Sequence, residues 1–234
     1  FVKKMDKTNY GRFVIYITLY KFAVNIASPF FAVYMLKVLN FSYLQFTLIT
    51  AIEIIASFIA MTIWGKLIDI KGTKLVLYIS GILTPFVPLL WLFSTNYHYL
   101  LIVQAFAGAS WAGFNLSASN FIFDAVKPAN RVRCVAYSKF FEGSALFFGA
   151  LLGGVLIDKL PSNAFSSIVY VFLVSFILRF ITSIVLLPTL KEARLIEMGI
   201  GTSFFKNYLL IRPPQGIVDE VIGKYLKPKT DLPA

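Results

Sequence analysis

Acidic side chains are scarce in this sequence: 11 Asp and Glu stand against 22 Lys and Arg in 234 residues. Cysteine and histidine are scarcer still. The lone Cys134 excludes an internal disulfide and a cysteine metal cluster. The lone His98 excludes a His-Glu-x-x-His zinc helix, and there is no Gly-x-Gly-Asp segment or paired serine and histidine. An intramembrane enzyme would lack its catalytic groups, so the chain reads as a non-enzyme that needs no cofactor or metal. Charged residues make up 14% of the chain and hydrophobic ones 58%, with a mean hydropathy of +0.77. A water-soluble domain of this size could not hide that much apolar surface, so lipid is the expected solvent. No signal peptide is visible. The chain starts with Phe1 rather than Met, which points to a piece of something longer.

What is present is a series of six apolar stretches, read as helices over Phe13–Leu36, Tyr43–Trp64, Leu75–Phe93, Tyr99–Phe123, Cys134–Ile157 and Ala164–Leu187. Each is near the length that crosses a hydrocarbon core. Lipid offers the backbone no hydrogen-bond partner, so helices are required. Pro29, Pro85 and Pro88 fall inside spans and should bend them. The net charge of +11 does not imply nucleic acid, because the basic residues lie in short loops and tails between spans. Eighteen Lys and Arg fall on one side and only Lys37 and Lys159 on the other, which places both termini in the cytoplasm. Trp64 and Trp91, at span ends, read as interfacial aromatics, and His98 reads as an interfacial residue on the outer side. The expected organisation is a cytoplasmic segment over 1–12, a six-helix transmembrane domain over 13–187 and a charged, proline-bearing cytoplasmic tail over 188–234. The tail reads either as solvated or, around 216–226, as an amphipathic surface segment.

Between the second and third stretches stands Gly65-Lys-Leu-Ile-Asp69-Ile-Lys-Gly72-Thr-Lys74. Gly65 allows close helix approach, Asp69 can meet a helix N-terminus or a basic group, Gly72 permits a tight turn, and Lys74 can pair with an acid. This segment resembles the signature of the major facilitator superfamily of transporters. Ile70 and Thr73 stand where that family usually carries basic residues. Two further stretches agree. Asp124 ends the fourth span ahead of Pro128 and Arg131; by resemblance it latches the signature, paired with Lys74 or Arg131. Gly149, Gly153 and Gly154 in the fifth span resemble the family's glycine motif, and small residues at that spacing let membrane helices touch.

The resemblance implies an all-α membrane fold of six transmembrane helices: half of a major facilitator fold, made of two three-helix inverted repeats. It further implies that the first and fourth helices line a central cavity, the second and fifth flank another half, and the third and sixth face lipid. Asn25-Ile-Ala-Ser28-Pro29 and Trp111-Ala-Gly-Phe-Asn115 favour the C-terminal half, although the tail would also suit a linker that follows a first half.

Helical spacing puts Gln104, Trp111, Asn115 and Ser119 on one face of the fourth span, and Lys21, Asn25 and Ser28 on one face of the first. Polar groups at membrane depth usually face the bundle interior, so these are the substrate-cavity candidates. The other reading of the amides is hydrogen bonding between helices. Lys21, Glu142 and Arg179 lie about eight residues from the cytoplasmic end, a shared depth of roughly 12 Å, where they could pair with one another or snorkel. Glu53, at the middle of the second span with no basic residue at its level, is the proton-coupling candidate; a neutral structural acid is its alternative. The expected function is one half of a secondary transporter in the cell membrane. Its partners would be a small solute, the lipid bilayer and a second six-helix half, supplied from upstream in the same gene, a separate chain or a homodimer. The alternative is a non-transporting six-helix protein, such as a split-gene product or assembly partner.

Overall fold

The computed structural model describes residues 8–159 and 164–192, and all regular structure among them is helical. Six helical stretches are long and apolar enough to cross a membrane: Asn9–Val38, Tyr43–Lys71, Thr73–Leu90, Tyr97–Ala125, Pro128–Lys159 and Ser167–Thr189. They are called the first to sixth spans below.

Their ends are set by side chains that satisfy the free N–H groups of a helix start. Thr8 Oγ1 accepts from the Gly11 N–H at 3.1 Å. Ser42 and Gln45 form a reciprocal capping box at 3.2 and 2.9 Å. Asn96 Oδ1 accepts from the His98 N–H at 2.9 Å. The prolines act as expected. The first span breaks between Ala27 and Phe30 and ends in a π-helical turn, Tyr34–Val38. The third breaks between Leu83 and Phe86.

Packing follows an exchange rule. The first span packs on the fifth and sixth, and the fourth packs on the second and third. Shifting every number by three carries one set of contacts into the other, as two inverted three-helix repeats require. Two apolar clusters anchor the ends. Near the signature, Phe13 stacks on Phe121 at 4.8 Å and Tyr20 on Phe114 at 4.6 Å. At the opposite end, Phe31 stacks on Phe172 at 4.3 Å and meets Trp91 edge-on at 5.3 Å.

Trp91 is therefore a core residue, 1% exposed, and not the interfacial aromatic its position suggested; the break after Leu83 turns it inward. Trp64 is half-buried, its Nε1 donating to the Ala109 carbonyl at 2.8 Å and its ring lying over Gly113. Gly149 and Gly153 carry the first–fifth contact: a Cβ would stand 2.5 Å from the Phe22 carbonyl at Gly149 and 2.2 Å from the Ile26 carbonyl at Gly153. Gly154, expected to share that role, faces open space. It is the next residue along, about 100° around the helix. The second and fifth spans are the least buried of the six, exposing runs such as Ile54, Ile55, Phe58 and Ile59 on the second and Phe147, Phe148, Leu151 and Leu152 on the fifth.

The third and sixth spans do not turn wholly to lipid. The sixth exposes Ile177, Ile181 and Ile184, but its opposite face carries Ser175, Arg179 and Ser183, all buried. Ser175 Oγ donates to the Ala23 carbonyl at 2.6 Å and Ser183 Oγ to the Gly81 carbonyl at 2.7 Å. Residues four apart share a helix face, so this polar stripe joins the sixth span to the first and third.

Candidate functional site

The signature shapes one end of the bundle. Gly65–Lys71 is not a loop: the second helix runs through it to Lys71, held by buried Ile68. The whole turn is Gly72, at φ 90°, a conformation open to glycine and strained for other residues. A Cβ at Gly65 would have Leu116 as its nearest neighbour, at 4.0 Å, so close approach is not what this glycine supplies. Asp69 is exposed on the last turns of that helix. Thr73, fully buried, begins the third span, and its hydroxyl donates to Asp124 Oδ2 at 2.6 Å.

Asp124 thus joins the signature to the fourth span, but through a hydroxyl and not by the expected ion pair with Lys74 or Arg131. Arg131 turns back to the carbonyls of Phe123 and Val126 at 3.1 and 3.4 Å. The Lys74 N–H is taken by Glu192 Oε2 at 2.8 Å, a carboxylate at a helix N-terminus. With Thr73 in the position next to Asp124, hydrogen bonding replaces charge pairing. Replacing Thr73 by Val should lower stability by about 2 kcal/mol, because the half-buried carboxylate loses a charge-assisted bond. Thr73→Ser should restore most of it. Thermal melting of the two variants in detergent checks this, and equal melting would show the bond to be inert.

The candidate site is a cavity of about 810 Å³ whose charged and amide side chains come from five of the six spans. Lys21, Asn25 and Ser28 reach it from the first span, and Gln104, Trp111 and Asn115 from the fourth. Ser119 does not; it is exposed beyond the cavity, one turn past Asn115. Glu53 and Phe58 add the second span, Lys139 and Glu142 the fifth, and Arg179 the sixth.

Gly108 makes the central contact. A Cβ there would stand 2.1 Å from the Glu53 carbonyl, so the second and fourth helices touch backbone to backbone. One turn earlier on the fourth helix, Gln104 Nε2 donates to Glu53 Oε2. As the sequence suggested, no basic residue among the described residues meets Glu53; its partner is the neutral amide of Gln104.

Of the three cavity amides only Gln104 bonds across helices among the described residues; Asn25 and Asn115 do not. Asn25 Nδ2 donates to the Lys21 carbonyl of its own helix at 2.7 Å. Asn115 is exposed and makes no hydrogen bond among the described residues. Lys21 Nζ lies over Trp111, 5.1 Å from the ring centroid. Glu142 pairs with Lys139 at 3.0 Å and accepts from Ser138 Oγ at 3.1 Å, not with Lys21 or Arg179 as their shared depth suggested. Lys139 is one turn of the same helix away and reaches it at no cost in helix position. Arg179 does not snorkel; it is buried, with Nη2 donating to the Val24 carbonyl at 3.2 Å. The sequence puts Arg179 at the depth of Lys21 and Glu142 but, with the sixth span expected to face lipid, not among the cavity candidates. The signal was an arginine in an otherwise apolar span.

A six-span bundle, a Gly-Asp-Gly-Lys signature at the second–third turn and a polar central cavity are the marks of one family. The family model for the Major Facilitator Superfamily matches residues 13–215. The chain belongs to the major facilitator superfamily. As a member it is a multi-pass membrane protein of a family that moves small solutes across membranes, and its all-helical fold with six long apolar helices fits one half of that architecture. The match runs past the sixth span into residues expected to be a tail, most of which lie outside the described residues. No curated protein matches the chain.

Proposed function

We propose that this chain is one six-helix half of a secondary active transporter, moving a small solute by alternating access, with Glu53 as its proton-coupling carboxylate. The observation that carries the reading is the central cavity: charged and amide side chains from the first, second, fourth, fifth and sixth spans converge on it. Buried polar groups in lipid are costly and are kept for passage or binding.

The cavity has a wall on one side only. Phe58 and Leu146 line it and are 71% and 53% exposed, on the two spans that bury least. A second six-helix half seated on the second and fifth spans would close it. Whether that half comes from the same chain, another chain or a second copy, the symmetry of the contacts suits a rocking motion of one half against the other. In this reading the protein lies in the cell membrane with the signature turn and both termini cytoplasmic, as the distribution of Lys and Arg favours. The sequences around Asn25 and Trp111 favour the C-terminal half.

The test is access to the cavity from each side of the membrane. With Cys134→Ser as background, Asn115→Cys in the intact transporter, in sealed vesicles, should react with an impermeant maleimide from either face. Conditions that favour one face should protect the other. Labelling from a single face under all conditions would remove alternating access. One observation favours a second reading, a non-transporting assembly partner: Asp124 meets the signature through the Thr73 hydroxyl where the resemblance leads one to expect an ion pair. A site closed to the reagent from both faces would support it.

A further inference from the structure

We propose that the solute is a small organic anion, its acidic group held between Lys21 and Arg179 and its apolar body lying along Trp111, Phe31 and Phe58. This rests on the cavity being the solute site and names the chemical class that the site takes.

The argument starts from charge left over. Three cations and two acids stand on the cavity wall. Both acids have partners: Glu142 has Lys139 and Ser138, and Glu53 has Gln104. Lys139 is spent on Glu142 at 3.0 Å. Lys21 and Arg179 remain, and among the described residues neither forms an ion pair.

Arg179 is 2% exposed, and its Nε is buried with no hydrogen-bond partner, so its donor fork is only partly used. Lys21 meets ring faces at 5.1 and 5.6 Å and no carboxylate. A cation held in apolar surroundings needs a compensating anion. Glu142, the acid whose charge reaches Lys21, is bound to Lys139, and the wall's three cations outnumber its two acids, so a ligand is the source that completes the balance. A guanidinium fork and an ammonium together suit a carboxylate or phosphate group.

The rest of the wall sets the body. A cavity of about 810 Å³ with Phe31, Phe58 and Trp111 on it is too large and too apolar for an inorganic ion alone. Lys21 also ties the two parts together, because its ammonium sits over the Trp111 ring beside which the body would lie.

The experiment uses the intact protein purified in detergent and four probes that share a ring: benzoate, phenyl phosphate, neutral benzamide and cationic benzamidine. At least one of the two anions should raise the melting temperature in a saturable way, and the neutral and cationic probes should not. Lys21→Gln should weaken half-saturation about tenfold, as loss of a charge-assisted bond would. Arg179→Lys, which keeps the charge but loses the fork, should weaken it as well, and it guards against a neutral Arg179 variant that fails to fold. Stabilisation by benzamide or benzamidine equal to that by the anions would leave the cavity as a solute site and overturn the anion. No stabilisation by any probe would overturn both. Stabilisation by phosphatidylglycerol that the anions cannot displace would assign the two cations to a lipid head group and overturn the solute.

Discussion

Gly153→Val should leave little folded protein, while Gly154→Val, one residue further on, should melt as the parent does. At Gly153 a Cβ would stand 2.2 Å from the Ile26 carbonyl and 2.8 Å from the Phe30 ring. One turn earlier, Gly149 would bring it 2.5 Å from the Phe22 carbonyl. The nearest atoms belong to the backbone of the first span, which cannot step aside as a side chain can. Overpacking costs about 1–3 kcal/mol where neighbours are able to move, and here relief requires the first and fifth helices to separate. That separation would pull Lys21, Asn25 and Ser28 away from Glu142 across the cavity. At Gly154 nothing lies within 4 Å. The two variants add the same atoms to the same helix, so helix propensity and hydrophobicity cancel and only contact differs. Size-exclusion profiles and thermal melts of the detergent-solubilised variants decide the matter. Equal behaviour would mean that the helices are not in backbone contact at Gly153.

Much of this was legible in the sequence, and the reason is physical. In lipid, span length and polarity are properties of each segment by itself, so six spans, proline breaks and the glycine turn at Gly72 could be read locally. Helical periodicity also gave the azimuth of each polar residue, which is why Lys21, Asn25, Ser28, Gln104, Trp111 and Asn115 share one cavity. Periodicity gives no information on what stands opposite. It could not show that Gln104 meets Glu53, since that depends on the second and fourth helices touching at Gly108. Nor could it show that Asp124 would meet Thr73 in place of a cation, because the turn at Gly72 decides which residue comes first on the third span. The depth of Arg179 was legible and its facing was not, because the sixth span reads as one apolar surface. A helix has two faces, and the Ser175–Arg179–Ser183 stripe on one was outweighed by the isoleucines on the other.

Glu53→Gln should abolish accumulation of solute against its gradient while leaving solute-for-solute exchange intact. The substitution keeps shape and hydrogen-bonding capacity, so the contact with Gln104 can persist through an amide–amide bond. What it removes is the ability to gain and lose a proton. Glu53 is the acid that suits this role. It stands at mid-span and faces the cavity, and its partner is a neutral amide that donates to the carboxylate without fixing it by charge. Glu142, the other acid on the wall, is already ion-paired with Lys139. Exchange returns the carrier loaded and needs no net proton movement, whereas accumulation requires the carboxylate to release its proton on one side and take one up on the other. In proteoliposomes, a proton gradient should therefore drive uptake by the parent and not by Glu53→Gln, with exchange rates close to the parent's. Gln104→Leu provides the control: it removes the partner but keeps the titrating group, so gradient-driven uptake should survive with a changed pH dependence. If Glu53→Gln still accumulates solute, the carboxylate is a structural acid joining the second and fourth helices, and coupling must lie elsewhere in the transporter.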